Sequence, residues 1–379
     1  MEPGVSPSAR SRARKGGSGK ECAECGIEVR GWRLEGSFEE SQEIGGNMMK
    51  RIGFLVLAVW FAGVVLLSQT GIVCAETITL KAITAWPKTA TEYKAFTIFT
   101  DTVDRVVAKR APGELKMQFI GGPEAVKTPD QVTVVQHGMV DLVFTTNAYY
   151  VSIIPEVDAL KLSDFSPSEE RANGTWAYIN ALHEKHGLYY LGRLGISIPF
   201  QLYLKKPIKT ADLKGFNIRV SPMYLQAIKG LGGNPVVIPP TDVYIALERN
   251  VVDGYCWPAV GVRDWGWQKQ TKYVVDPPFY QGPNPLVMNL KTWEKLPKKL
   301  QNALTEATAE AEKEVVAYYA DLVKKERPIL AKEGVETITL PPAEKAKFLK
   351  IAYDEGWKDV IQKCPKTGPE LKKLLSKSK

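Results

Sequence analysis

Arg219 lies between Ile218 and Val220 in a stretch, 216–220, that reads as a β-strand. Side chains alternate along a strand, so the guanidinium points away from its apolar neighbours. Pro222 then opens a helical pattern, which puts the cation at a strand end beside a loop. In that position a guanidinium fork matches a carboxylate through two parallel hydrogen bonds. Pairing with a structural Asp or Glu is the other use of such a residue, and the local pattern leaves both open. Softer candidates stand beyond strand C-termini, where α/β folds receive ligands. They are Trp86 after the first strand, Asn147, Tyr149 and Tyr150 after the strand that ends at Thr145, and Gln201 at the crossing into a second lobe. Each offers a ring or a hydrogen-bonding group, and each serves equally well in a turn or hinge.

Most catalytic schemes lack their residues. The chain holds three His and five Cys. It has no G-x-S-x-G elbow, phosphate loop, dinucleotide fingerprint or H-E-x-x-H. His183 and His186 have a spacing that can seat a metal, but no third ligand accompanies them. Imidazoles at a helix C-terminus more often meet the helix dipole, and His137, just ahead of Gly138, reads the same way. Cys22 and Cys25 form one C-x-x-C with no second pair, a weak signal. Cys256 and Cys364 read as two separate thiols. No catalytic residue, metal or cofactor is expected.

Alternating strand and helix patterns position these residues. Ile78, Leu80 and Ala82 mark a strand over 77–84, and Phe96, Phe99, Val103 and Val106 a helix over 92–108. Strands follow at 115–120, 140–145 and 188–194, with one helix opening at Thr128-Pro129 and another over 168–185. This order predicts an α/β lobe with a mainly parallel sheet. A second lobe begins near 199, with strands at 200–204, 216–220, 235–238 and 272–275 and a helix over 241–249 capped by Thr241. Val251 to Gly254 reads as a short strand and turn. After a strand at 286–290, residues 297–327 form one helical run that would span ~46 Å, enough to bridge two lobes. Pro328 is expected to kink or end it. A strand at 335–340, a helix at 343–362 and a Lys-rich tail close the chain. The lobes are expected over 76–198 with 287–330, and over 199–286 with 331–379.

The 379 residues are 44% hydrophobic and 24% charged, with a net charge of +8. At roughly 150 residues per domain this suggests two domains and a leader. It excludes disorder throughout, a multi-span membrane protein and a small disulfide scaffold. The basic residues are dispersed, so the charge does not by itself argue for nucleic acid, and it suits a receptor for anions. Lys50-Arg51, the uncharged run Ile52 to Leu67, and the small residues Val73 and Ala75 mark a signal peptide over 48–75, cleaved after Ala75. Its apolar core is shorter than the ~20 residues of a membrane span. Residues 1–47, rich in Gly, Ser, Arg and Glu, read as a disordered or untranslated leader ahead of a start at Met48.

The stretch 212–258 resembles the P-type, DctP-like extracytoplasmic solute receptors of TRAP (tripartite ATP-independent periplasmic) transporters. The likeness is carried by Leu213-Lys214-Gly215 with Ile218-Arg219-Val220, and by Tyr244, Ala246-Leu247 and Val251-Val252-Asp253-Gly254. Ala85-Trp86-Pro87, Gly138-Met139-Val140-Asp141 and the Met288-Asn289, Trp293, Leu296-Pro297 series extend it over nearly all of 76–365. It implies an α/β, periplasmic-binding-protein-like, two-lobed fold with mixed, mostly parallel sheets, hinge strands and a long bridging helix. It implies a monomeric, non-catalytic periplasmic receptor that closes over a small organic acid and delivers it to the small and large membrane subunits of the transporter. It gives Arg219 the ligand carboxylate. Many members continue after Val-Asp-Gly with Gln-Glu-Asn-Pro, whereas this chain has Tyr255-Cys256-Trp257-Pro258. Trp257 offers a flat apolar wall and one N–H donor, although lobe packing is its other use. That favours a small 2-oxo, 2-hydroxy, aromatic or simple monocarboxylate over a sugar acid. Tyr255, from the same run, joins the ligand-binding candidates. Cys256 stands where some relatives carry an acid that helps to hold a cation, so no metal-assisted site is expected. The alternatives are a lyase or decarboxylase on the same scaffold, and a soluble receptor of an ABC importer or sensor kinase.

Overall fold

The computed structural model describes residues 76–195 and 198–377. The leader, the signal peptide with its cleavage point after Ala75, and the Cys22–Cys25 pair lie outside the described residues.

Strands form where apolar residues alternate or run together. In chain order they are β1 (Ile78–Thr84), β2 (Leu115–Gly121), β3 (Leu142–Phe144), β4 (Leu188–Arg193), β5 (Pro199–Leu204) and β6 (Asn217–Val220). The rest are β7 (Asn234–Val237), β8 (Gly254–Pro258), β9 (Tyr273–Asp276), β10 (Phe279–Gln281), β11 (Pro285–Asn289) and β12 (Glu336–Thr339). One sheet has the order β2-β1-β3-β11-β4, and the other has β12-β9-β5-β8-β6-β7 with β10 on β5. Parallel and antiparallel pairings are equally frequent among the described strands, five of each. Every antiparallel pair involves β5 or β11, the strands entered from the other sheet without an intervening helix.

Those two crossings touch. The Leu194 N–H donates to the Asn284 carbonyl oxygen at 2.7 Å, and the Gly282 N–H to that of Ile198 at 3.2 Å. A Cβ at Gly195 would stand 2.3 Å from the Gly282 carbonyl oxygen, so only glycine admits this approach. The third connection is the Lys298–Lys332 helix. Leu300, Leu304, Ala307, Ala311, Val315 and Tyr319 pack it into the core of the first sheet, and Leu330 into a core beneath the second.

Several elements differ from the sequence expectation. Pro328 neither ends nor interrupts the long helix, which runs to Lys332. The helix expected over 168–185 is two, Pro167–Ala172 and Thr175–Glu184, broken where Gly174 adopts φ +87°. Thr241 caps nothing: its hydroxyl donates to Asp242 Oδ1 at 3.0 Å, and a 3-10 turn over Pro240–Asp242 starts the helix. The strand expected at 251–254 begins only at Gly254, which carries Tyr255 to Trp257 into the middle of the sheet. The Lys-rich tail forms a helix, Gly368–Leu375, because Leu371 and Leu375, one turn apart, bury together.

Candidate functional site

β6 and β8 run in parallel, with Arg219 opposite Tyr255. Residues two apart on a strand share a face, so Arg219, Tyr255 and Trp257 all project from one side of the sheet. The Arg219 guanidinium carbon lies 5.5 Å from the ring centroid of Trp257 and 5.9 Å from that of Trp267. Trp267 meets Trp257 edge to face at 4.7 Å. Arg219 Nε–H donates to the Ile238 carbonyl oxygen at 2.8 Å, and Nη1–H to that of Cys256 at 3.5 Å. The residue is 2% exposed. Burial holds its pKa below the ordinary arginine value, opposed by Tyr149, Tyr224 and Cys256 and by no carboxylate.

Arg193 shows what a purely structural arginine requires. It is as deeply buried, and burial pulls it down too, but Glu170 accepts from its Nε at 2.8 Å and carries the pKa above the usual value. Arg219 has rings, carbonyls and phenols around it in place of such an acid.

In front of Arg219, between the two sheets, lies a cavity of about 50 Å³. Trp86, Tyr149, Arg219 and Trp257 line it, together with Glu92, Tyr224 and Asn284. Trp86 is held against Phe144 with ring centroids 4.8 Å apart. Burial raises the Tyr149 phenol, Arg219 lowers it and Glu92 raises it, which puts Tyr149 within the field of both charged groups. Glu92 comes from the loop before the Tyr93–Arg110 helix, is 2% exposed, and is pushed up to about 7 by burial, with Asp264 adding to the rise. Beside it, the Thr91 N–H donates to Asp264 Oδ2 at 2.7 Å, joining the loop after β1 to the segment after β8.

Three of the expected site residues lie elsewhere. Gln201 stands opposite Trp257 across β5 and β8, one strand farther from Arg219. It lines a different cavity, of about 170 Å³, with Asp276, Arg327 and Leu330. We therefore expect Gln201→Ala to leave ligand affinity unchanged in calorimetry. Asn147 is buried as a loop anchor, its Nδ2 donating to the Val157 carbonyl oxygen at 3.2 Å. Tyr255 shares the face of Trp257 but is deeper, stacked on Tyr203 at 5.0 Å with its hydroxyl 2.8 Å from Thr271 Oγ1. Sequence reasoning passed over Glu92, which reads as an ordinary acid at the start of a helix. It also passed over Tyr224, which reads as part of an apolar helical pattern.

The histidine pair holds no metal geometry, and no cluster of three or more His, Cys, Asp or Glu fit for a metal occurs among the described residues. His183 is buried, with Nδ1 2.8 Å from the Ile179 carbonyl oxygen and Nε2 3.2 Å from the Tyr150 hydroxyl. Burial lowers its pKa from 6.5 to about 4, so it is neutral and gives the helix dipole no cation. The unfolded chain then binds the extra proton between those two values, and stability is lost as pH falls through that window. The loss amounts to about 3 kcal/mol. Urea midpoints measured from pH 7 to pH 4 should show it, with a flatter slope in His183→Gln. Cys256 and Cys364 are both free and buried.

Two α/β lobes joined by crossing strands, with a cleft between them, define a two-lobed binding protein of the periplasmic type. Residues 83–363 match the family model described as bacterial extracellular solute-binding protein, family 7, and the chain belongs to that family. A curated relative is the monocarboxylate 2-oxoacid-binding periplasmic protein of Nostoc sp., 25% identical over 284 residues, 72% of this chain and 76% of that one. In fold the chain is similar to an extracytoplasmic solute receptor of Bordetella pertussis that binds pyroglutamic acid. The TM-score is 0.69 at 20% identity, covering 79% of this chain and all (100%) of that one. It is similar as well to a TRAP periplasmic solute-binding protein of Desulfovibrio salexigens with bound orotic acid. There the TM-score is 0.68 at 20% identity, covering 78% and 97% of the two chains. No helix among the described residues is long and apolar enough to cross a membrane.

Proposed function

We propose that this protein is the periplasmic receptor of a TRAP transporter, and that it holds a small monocarboxylate by pairing the acid with Arg219. The observation that carries this reading is a guanidinium 2% exposed, lining an inter-lobe cavity, on which no carboxylate acts. A buried cation without an anion is costly, and a ligand carboxylate supplies the missing charge and both acceptor oxygens. The flat apolar face of Trp257 on the cavity wall supports a compact acid, of the 2-oxo, 2-hydroxy, aromatic or simple monocarboxylate kinds, over a sugar acid. What the relatives bind supports the carboxylate. Trp86, Tyr149 and Trp257 form the walls. The lobes are 76–198 with 287–330 and 199–286 with 331–379, and the Thr91–Asp264 contact latches them shut. A chain secreted by its signal peptide with cleavage after Ala75 then works as a monomer and passes the acid to the small and large membrane subunits.

A thermal-shift screen of the protein against carboxylic acids and their matched primary amides tests the reading. Acids should raise the melting temperature and amides should not; equal shifts sink the charge-pair assignment. The Glu92 pKa near 7 favours one rival, a lyase or decarboxylase with this carboxyl as its base. Sustained product formation from a bound acid would establish that rival.

A further inference from the structure

The cavity of about 170 Å³ that Gln201 lines is built from one sheet face and one helix face. Val274 stands opposite Tyr203 across β9 and β5, and opposite Thr337 across β9 and β12. Residues two apart on a strand share a face, so Gln201, Val274, Asp276 and Thr337 form one floor. Val323, Arg327 and Leu330, on one face of the Lys298–Lys332 helix, form the roof. Engineered apolar cavities of ~150 Å³ take in benzene, so the space suits a small molecule. It shares no lining residue with the cavity in front of Arg219.

The polar groups of this cavity are unspent. Gln201 is 6% exposed; its Oε1 accepts from the Tyr203 hydroxyl at 3.4 Å, and among the described residues its Nε2 has no partner. Nor do the Asp276 carboxylate and the Arg327 guanidinium make a hydrogen bond or ion pair among the described residues; Glu326, next to Arg327, faces Arg263 instead at 3.9 Å. Burial and Glu326 raise the Tyr203 phenol while Arg327 lowers it, which supports a guanidinium turned toward β5. Arg327 is exposed and Asp276 half-buried, whereas Val274 and Leu330 are buried. Charges of both signs therefore flank the mouth, and an apolar surface lies within. Ligand sites have this composition, an apolar lining with a few placed polar groups.

We propose that this cavity is a second ligand site, which takes an α-amino acid with an aliphatic side chain. The carboxylate meets Arg327, with Gln201 Nε2 as a second donor, and the ammonium meets Asp276. The side chain lies on Val274, Val323 and Leu330. A monocarboxylate would leave Asp276 without a partner, and an amine would leave Arg327 without one. The site is separate from the one proposed for the transported acid and does not rest on that reading.

Calorimetry on the full chain tests it, with L-leucine as the probe. Leucine should bind the wild type and Arg219→Ala, which removes the inter-lobe site, with the same affinity. Arg327→Gln and Asp276→Asn should each weaken it about tenfold or more, with melting temperatures that match the wild type. In the Arg219→Ala protein, 4-methylpentanoate, 3-methylbutylamine and glycine lack in turn the ammonium, the carboxylate and the side chain. Each should bind about tenfold or more weakly than leucine. No binding of leucine to the wild type overturns the proposal. So does binding that Arg219→Ala abolishes, which places the amino acid between the lobes. An affinity that either Arg327→Gln or Asp276→Asn leaves unchanged overturns it as well. 4-Methylpentanoate as tight as leucine in Arg219→Ala assigns the cavity to monocarboxylates and overturns the amino-acid assignment.

Discussion

Replacing Arg219 with alanine should abolish tight ligand binding while the protein stays folded. Removing one partner of a desolvated charge pair costs about 2–5 kcal/mol, or roughly 30-fold to several thousand-fold in affinity. Most of that is the penalty of shutting a carboxylate into a site lined by Trp86, Tyr149 and Trp257 with no cation to meet it. The ligand-free melting temperature should hold or rise, because among the described residues the guanidinium has only the Ile238 and Cys256 carbonyls as hydrogen-bond partners. Arg219→Lys should recover part of the affinity, since it restores charge without the planar fork. Calorimetry against any acid that the wild type binds is the measurement, and an unchanged affinity removes Arg219 from the site.

The largest effect on stability is expected from Glu170→Ala. Glu170 accepts from Arg193 Nε at 2.8 Å and from Ser163 Oγ at 2.6 Å, and Arg193 is 1% exposed. Nearby, Glu312 takes two hydrogen bonds from Arg171, each 2.8 Å, and one from the Arg193 backbone N–H at 3.2 Å. Taking away Glu170 strands a buried guanidinium, at about 3–5 kcal/mol. Replacing both partners, as Glu170→Leu with Arg193→Met, should recover much of the loss, because no unpaired charge then remains. Urea unfolding of the two variants gives the comparison, and a double variant no more stable than the single one would contradict it. Arg193 ends β4 immediately before the crossing to β5, so the network also anchors the root of the hinge.

How much of this was legible beforehand depended on whether the signal was local. β1 and β2 are legible because alternate residues of each are buried, whereas β5 buries both faces and shows only as an apolar run. Arg219 stood out for a local reason, a charge inside an apolar strand. The long helix continues past Pro328: a proline forfeits one hydrogen bond, and the packing of Leu330 beyond it holds the last turn in place. Gln201 and Trp257 are neighbours across β5 and β8, yet they line separate cavities. No pattern along the chain distinguishes two cavities that open on neighbouring strands. Glu92 escaped notice because its burial depends on Asp264 and Gly261, about 170 positions away. Tyr255 shares the face of Trp257 but lies deeper, against Tyr203 and Thr271, and depth within a sheet face leaves no mark in the order of residues along a strand.

The Lys298–Lys332 helix is about 52 Å of continuous rod, gripped at one end by Ala303 to Tyr319 and at the other by Leu330. A rod clamped at both ends cannot let those ends separate freely; it must flex. Pro328 has no N–H to offer the Lys324 carbonyl, so the compliant point lies within the final two turns, close to the second clamp. The rod then behaves as a leaf spring fixed firmly at one end and softened near the other, and any gaping of the molecule bends it at a place the sequence has already weakened.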